Sequence, residues 1–297
     1  MSHHDHHDHD LGLAADLDTL VRQTTNRRRA LRWLGAGGAA SSLVLLGCGG
    51  GEDSSDTSST STGTTTTTGT TTGTTTTTTT PSSCATIPEE TAGPYPGDGS
   101  NTANGSVANA LALSGIVRSD IRSSIGSASG TATGIKLTVK LQVVNTGASC
   151  AALAGRAVYL WHCDSAGRYS MYSSGITDQN YLRGVQETDS SGNVSFTTIF
   201  PGCYDGRMPH MHFEVYPSLA SATSYSSKIK TSQIAFPVST CSEVYATTGY
   251  SASVSNLARI SFSTDNVFSD GVTLQLATVT GNVTDGYVAT LVVGVAG

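Results

Sequence analysis

The chain has eight histidines, five of them within its first ten residues. Two of the other three, His210 and His212, stand two apart at the start of an alternating run, His210–Tyr216. In a strand, residues two apart point to the same face, so both imidazoles share one face while Met211, Phe213 and Val215 turn to a core. Two imidazoles on one strand face can reach one metal ion. The stretch Phe200-Pro201-Gly202-Cys203-Tyr204-Asp205-Gly206-Arg207-Met208-Pro209 leads into this run. Its Gly and Pro residues bend the chain back, so that Tyr204 can approach the same point. Taken alone, His-x-His is equally well explained as two polar residues on a solvated strand face, because a short motif is weak evidence.

Strands must position these residues, and the sequence supplies them from about Cys84 onward. Ile135–Val143 alternates, with Ile135, Leu137, Val139, Leu141 and Val143 on one side and Lys136, Thr138, Lys140 and Gln142 on the other. Further strands are expected at 111–117, 157–162, 194–200, 210–216, 232–236, 272–276 and 287–295, bounded by Gly, Ser and Asp. No long stretch shows helical periodicity and no internal repeat occurs. The expected fold is all-β: a β-sandwich of mainly antiparallel strands with long loops, preceded by a disordered N-terminal region. Residues 84–297 carry eleven Lys and Arg against fourteen Asp and Glu, a balance of −3. That mild charge argues against nucleic acid and anionic lipid as partners.

The first 83 residues are of other kinds. Met1–Asp10 alternates His and Asp and reads as an expression tag or disordered tail rather than a metal site. Arg27-Arg28-Arg29 and the apolar run from Ala30 to Leu46 make an export signal of twin-arginine type, so 1–48 is taken as tail and signal. Leu45-Leu46-Gly47-Cys48 resembles a lipoprotein cleavage box with Cys48 as the lipidated residue; plain cleavage and secretion is the alternative. Residues 49–83 are almost wholly Thr, Ser and Gly and bury nothing, so they read as a tether spanning about 30 Å. The expectation is an exported, membrane-anchored protein, periplasmic or on the cell surface. In that setting the five domain cysteines, Cys84, Cys150, Cys163, Cys203 and Cys241, should form disulfides, with at least one thiol left over. No Cys-x-x-Cys occurs, which disfavours a zinc site.

Beyond His-x-His, a series of segments resembles the intradiol ring-cleavage dioxygenases, in particular their secreted branch related to the protocatechuate 3,4-dioxygenase beta subunit. Pro201-Gly202-Cys203-Tyr204 resembles the family's Pro-Gly-x-Tyr turn, and Arg207 stands three residues before the first histidine. Pro88–Tyr95 resembles its Pro-x-x-Thr-x-Gly-Pro-Tyr segment, and Trp161–Ser170 the segment that carries its first iron tyrosine. Tyr181–Gly184 followed by Asp189–Thr198 resembles its connecting strand pair, and Ser232–Pro237 a segment bearing a glutamine. Together they cover most of 84–237 in the family's order.

The resemblance implies a ferric iron, Fe(3+), held by Tyr169, Tyr204, His210 and His212. Phenol titrates near 10, so phenolate ligation at neutral pH needs a hard, strong Lewis acid; this donor set suits ferric iron better than zinc. The resemblance implies catalytic roles for Tyr204, Arg207 and Gln233. Tyr204 would be ligand and base, Arg207 a cation close to the ring, and Gln233 a hydrogen-bond donor at the iron-bound oxygen. Gly93, Pro94 and Tyr95 would border the substrate. The implied partners are a catechol-type small molecule and O2, and the implied product is a cis,cis-muconate-type diacid. Three bland alternatives stand beside these roles: an ion pair of Arg207 with Asp205, a strand polar role for Gln233, and packing of Tyr169 on Trp161. His162 is expected to be structural, and Tyr95, Tyr172 and Tyr181 to line or support the pocket. The competing class is a cell-surface β-sandwich binding module for carbohydrate or protein, which has no need of two tyrosines and two histidines together.

Overall fold

The computed structural model describes residues 85–297. The histidine-rich start, the export signal, Cys48, the Thr-rich tether and Cys84 lie outside the described residues. Eleven strands follow: β1 (Asp98–Ala103), β2 (Ser106–Asn109), β3 (Lys136–Asn145), β4 (Ala151–Ala152), β5 (Ala157–Trp161), β6 (Arg183–Glu187), β7 (Asn193–Ile199), β8 (His210–Tyr216), β9 (Lys230–Ala235), β10 (Thr278–Asn282) and β11 (Gly286–Val295). The first two form a separate hairpin, turned by Asn104 and Gly105 at φ 50° and 78°, the left-handed pair such a tight turn demands.

The remaining strands form two sheets. One runs β10-β11-β3, with β7 and β4 sharing the other edge of β3; the second runs β6-β5-β8-β9. Every ladder is antiparallel except β3 with β11. Leu137, Val139, Leu141 and Val143 from β3 meet Val158 and Leu160 from β5 and Met211, Phe213 and Val215 from β8 in one apolar layer. The expected sandwich of mainly antiparallel strands is present, and the inward face of β8 is the one its alternation predicts.

The outer face of the second sheet is not solvated. Tyr159, Trp161, Val185 and Tyr216 point outward there and are covered by loop residues Leu111, Ile116, Cys163 and Tyr169. Every residue of β5 and β8 is therefore buried. The solvated-face reading of His-x-His fails for this reason: both histidines are 2% exposed.

Two expected strands are absent. Residues 110–112 form a single 3-10 turn because Gly115 and its φ of 89° break the extended run; only Val117 bridges to Val185. In 272–276 the backbone N–H groups of Gln275 and Leu276 turn back onto the carbonyl of Val272, so only Leu276 bridges to Ala235. Two short helices, α1 (Val238–Tyr245) and α2 (Ser251–Leu257), went unpredicted because neither is long enough to show a period. Cys150 is disulfide-bonded. Cys163, Cys203 and Cys241 are free, buried thiols, so the expectation of general disulfide pairing fails for three of the five.

Candidate metal centre

Strand β8 places His210 and His212 on its outward face, and its neighbours fix them. Trp161 of β5 lies opposite His212, and the two rings stack with centroids 5.0 Å apart and planes 6° apart. Gln233 of β9 lies opposite His212 on the other side. His210 Nδ1 is 2.6 Å from the Met208 carbonyl. A carbonyl only accepts, so Nδ1 carries the proton and Nε2 presents a bare lone pair. Burial and the nearby Arg207 charge push the His210 pKa well below the usual imidazole value; burial and the neighbouring His210 do the same for His212. Both rings are neutral, the state in which imidazole ligates metal.

The ring nitrogens and one phenol oxygen meet at a point. His210 Nε2 is 3.1 Å from His212 Nε2 and 3.1 Å from Tyr204 Oη. Two donors each about 2.0–2.1 Å from one ion, at angles between 90° and tetrahedral, sit about 2.9–3.4 Å apart. The observed spacings fall in that range. His212 Nδ1 is buried, and the Thr91 backbone beside it favours its protonation. The Tyr169 ring, 2% exposed, has its centroid 6.0 Å from that of Tyr204 and 6.3 Å from that of His212. Among the described residues no group of three or more His, Cys, Asp and Glu could hold a metal. The further donors here are phenols, and two phenols with two imidazoles fit a ferric ion.

Glycine brings the two tyrosine segments together. A Cβ on Gly202 would lie 2.7 Å from the Ser165 carbonyl and 2.9 Å from that of Asp164. Only a glycine lets this turn pack backbone to backbone on the 164–167 loop, where the Gly202 N–H donates to the Asp164 carbonyl at 3.0 Å. Asp164 shapes the loop before Tyr169: its carboxylate accepts from the N–H groups of Ala166 and Arg168 and from Arg168 Nε. Helix α2 anchors the other tyrosine's turn. Ser253 Oγ accepts from the Cys203 N–H at 2.9 Å, and Asn256 Nδ2 donates to the Cys203 carbonyl at 2.7 Å. Gly202 is thus a packing residue. Tyr204 itself stays half-buried, whereas Tyr169 is enclosed.

Arg207 is 1% exposed and pairs with Asp265, Nε to Oδ2 3.0 Å. The alternative partner Asp205 instead meets Arg259 at the surface, 2.8 Å away. Arg207 Nη2 also donates to Gln233 Oε1 at 2.7 Å, and Gln233 Nε2 donates to the Thr91 carbonyl at 2.9 Å. Gln233 therefore bridges Arg207 to the 88–95 segment. In that segment Gly93 turns at φ 67°, the Pro94 carbonyl accepts from Asn101 Nδ2, and the Tyr95 ring lies 4.9 Å from that of Tyr169 and 5.2 Å from that of Tyr172. Arg183 is buried and ties the tyrosine segments together, donating to the carbonyls of Tyr95, Pro96 and Ser170. Tyr181 packs elsewhere, with Ala132, Ile176, Leu182 and Ile199. His162 is structural: its ring nitrogens meet the Cys163 carbonyl and Thr198 Oγ1, and burial pushes its pKa down to about 4. Sequence reasoning missed Asp265 and Phe268. Both stand in a Ser-rich stretch without periodicity, and no pattern marks them.

Residues 118–222 match the model of the dioxygenase family. No curated protein matches the chain. An intradiol ring-cleavage dioxygenase from Tetranychus urticae has a similar solved structure, at 24% identity, covering 72% of this chain and 95% of that one with a TM-score of 0.54. The dioxygenase domain of a carbohydrate-binding fusion protein from Streptomyces sp. SirexAA-E is matched at 23% identity, over 71% of this chain and 100% of that one, with a TM-score of 0.43. The matched segment is that of a dioxygenase model, and the fold is similar to that of the Tetranychus urticae intradiol ring-cleavage dioxygenase. Tyr169, Tyr204, Arg207, His210 and His212 all lie inside the matched segment, and Gln233 and Asp265 lie beyond it.

Proposed function

We propose that the protein is an exported, lipid-anchored ferric dioxygenase that cleaves catechol-type aromatics between their two hydroxyls, giving cis,cis-muconate-type diacids. The observation that carries this reading is the meeting of Tyr204 Oη, His210 Nε2 and His212 Nε2 at ligand-like spacing, with the Tyr169 ring beside them. Tyr169, Tyr204, His210 and His212 would hold the ion. A ferric ion held there would supply Lewis acidity toward a catechol and make its ring reactive toward O2. Tyr204, at the half-buried edge, is the residue that gives way to substrate, its oxygen accepting a proton from a catechol hydroxyl. Tyr169, enclosed under Tyr95, stays in place. Arg207, held by Asp265 and Gln233, stabilises negative charge developing on the ring. Gly93, Pro94 and Tyr95 border the ring's approach.

Purified protein reconstituted with ferric iron should be red to burgundy and consume O2 with catechol, hydroxyquinol or a carboxylated catechol. A colourless protein that takes up no iron would refute the reading. The anchor rests on Cys48 and the tether; mass spectrometry of native material should find Cys48 as a lipid-modified N-terminus. An unmodified terminus elsewhere, with the protein wholly soluble, would remove the anchor.

A further inference from the structure

We propose that Asp265 is a positioning residue for both Arg207 and His210, reaching the histidine through the backbone of Met208 on either side of its Cα. This rests on the reading of His210 as a ligand. Asp265 is fully buried, and both of its oxygens are used. Oδ2 accepts from Arg207 Nε at 3.0 Å and from the Met208 N–H at 2.6 Å. Oδ1 accepts from the N–H groups of Val267 and Phe268 at 2.8 and 3.1 Å. The far side of Met208 completes the relay, since its carbonyl accepts the His210 Nδ1 proton at 2.6 Å.

One carboxylate thus fixes two things by separate bonds. It aims the guanidinium, which also lies 5.8 Å from the Phe268 ring centroid, on the loop that Oδ1 caps. It also anchors Met208 at its N–H, and across that residue's Cα the carbonyl of the Met208–Pro209 peptide accepts from the Nδ1–H tautomer, which leaves the Nε2 lone pair toward Tyr204 and His212. Hydrogen bonds that set a ligand's tautomer raise its basicity and hold its ring, and losing one typically weakens metal or activity about 10–100-fold. Asp265 lies beyond the matched family segment, so this support is supplied by the chain's own C-terminal region.

Asp265→Asn is the informative change. Its remaining oxygen can still cap Val267 and Phe268, but its amide nitrogen would face two donors, Arg207 Nε and the Met208 N–H. Nitrogen-15 NMR of metal-free protein should show His210 as one Nδ1–H tautomer in the parent and as a mixture in Asp265→Asn. Ferric iron should then bind about 10–100-fold more weakly, with a shifted visible band. Asp265→Glu, which keeps the carboxylate, should recover part of both effects. A variant with the parent's tautomer and iron affinity within about two-fold would overturn the proposal, even if its melting temperature falls. Breaking a buried pair can prevent folding. In that event amide exchange at Met208 in the parent decides: strong protection supports the bond to Asp265, and exchange as fast as an exposed loop overturns it. If the parent takes up no iron, the ferric reading fails while the tautomer comparison still tests Asp265.

Discussion

Replacing Gly202 with alanine tests whether backbone contact between the two tyrosine segments sets the centre. The new Cβ would stand 2.7 Å from the Ser165 carbonyl, 2.9 Å from the Asp164 carbonyl and 2.9 Å from the Gly167 nitrogen. All three are main-chain atoms that no side-chain rotation can move aside. Ordinary contact begins near 3.4 Å, so the segments must part by about 0.7 Å, enough to stretch the 3.0 Å bond from the Gly202 N–H to the Asp164 carbonyl. Overpacking of this kind costs about 1–3 kcal/mol. Taking about 2 kcal/mol, the melting temperature of a domain this size should fall by about 4–8 °C. A displacement approaching 1 Å at a reacting group can cost about 100-fold in rate, so turnover should fall further than stability alone explains. Thermal unfolding, the visible band and O2 uptake would be measured on both proteins. Parent-like melting and turnover in Gly202→Ala would refute the claim that the segments are locked through this glycine.

Three further outcomes are expected. Tyr204→Phe should retain iron, shift the visible band and slow catechol binding and turnover, whereas Tyr169→Phe should lose iron about 10–100-fold more readily; full activity with an unchanged spectrum in Tyr204→Phe would remove that turn from the site. His162 has its pKa depressed to about 4 by burial, so its neutral form stabilises the fold above the unfolded value of 6.5, and that contribution is lost as the pH falls through 4. By pH 5 the loss is about 2 kcal/mol, and urea midpoints at pH 7 and 5 should differ less in His162→Gln than in the parent.

How legible the molecule is in its sequence depends on how far apart the cooperating residues lie. The bounds and faces of β8 follow from one seven-residue alternation, and Leu137–Val143 follow from another; each pattern is local and decided by burial. The 111–117 and 272–276 runs misled because apolar residues alternate there, while Gly115 in one and the turn back to Val272 in the other prevent a ladder. The histidine pair and its turn were legible as chemistry, yet not their burial, which comes from loops folding over the outer face of a sheet. Asp265 was not legible, being 58 positions from Arg207 with nothing around it to mark a carboxylate as structural. Nor was the use of Gln233: strand pairing sets it beside His212, and only the fold shows that its amide bridges Arg207 and Thr91.

The parallel ladder of β3 with β11 has a consequence for synthesis. β11 pairs with β3 from Tyr287 with Leu137 to Val295 with Asn145, and β10 joins the sheet only through β11. All four strands of the histidine-bearing sheet have left the ribosome well before then. The opposite sheet still lacks two strands, and the β3 edge that β11 covers stays open. Partners separated by so much chain pair late, and an open apolar edge invites association with other chains. A chain stopped before Gly286 would carry every proposed iron ligand and still be prone to aggregate, so solubility during translation hangs on β11.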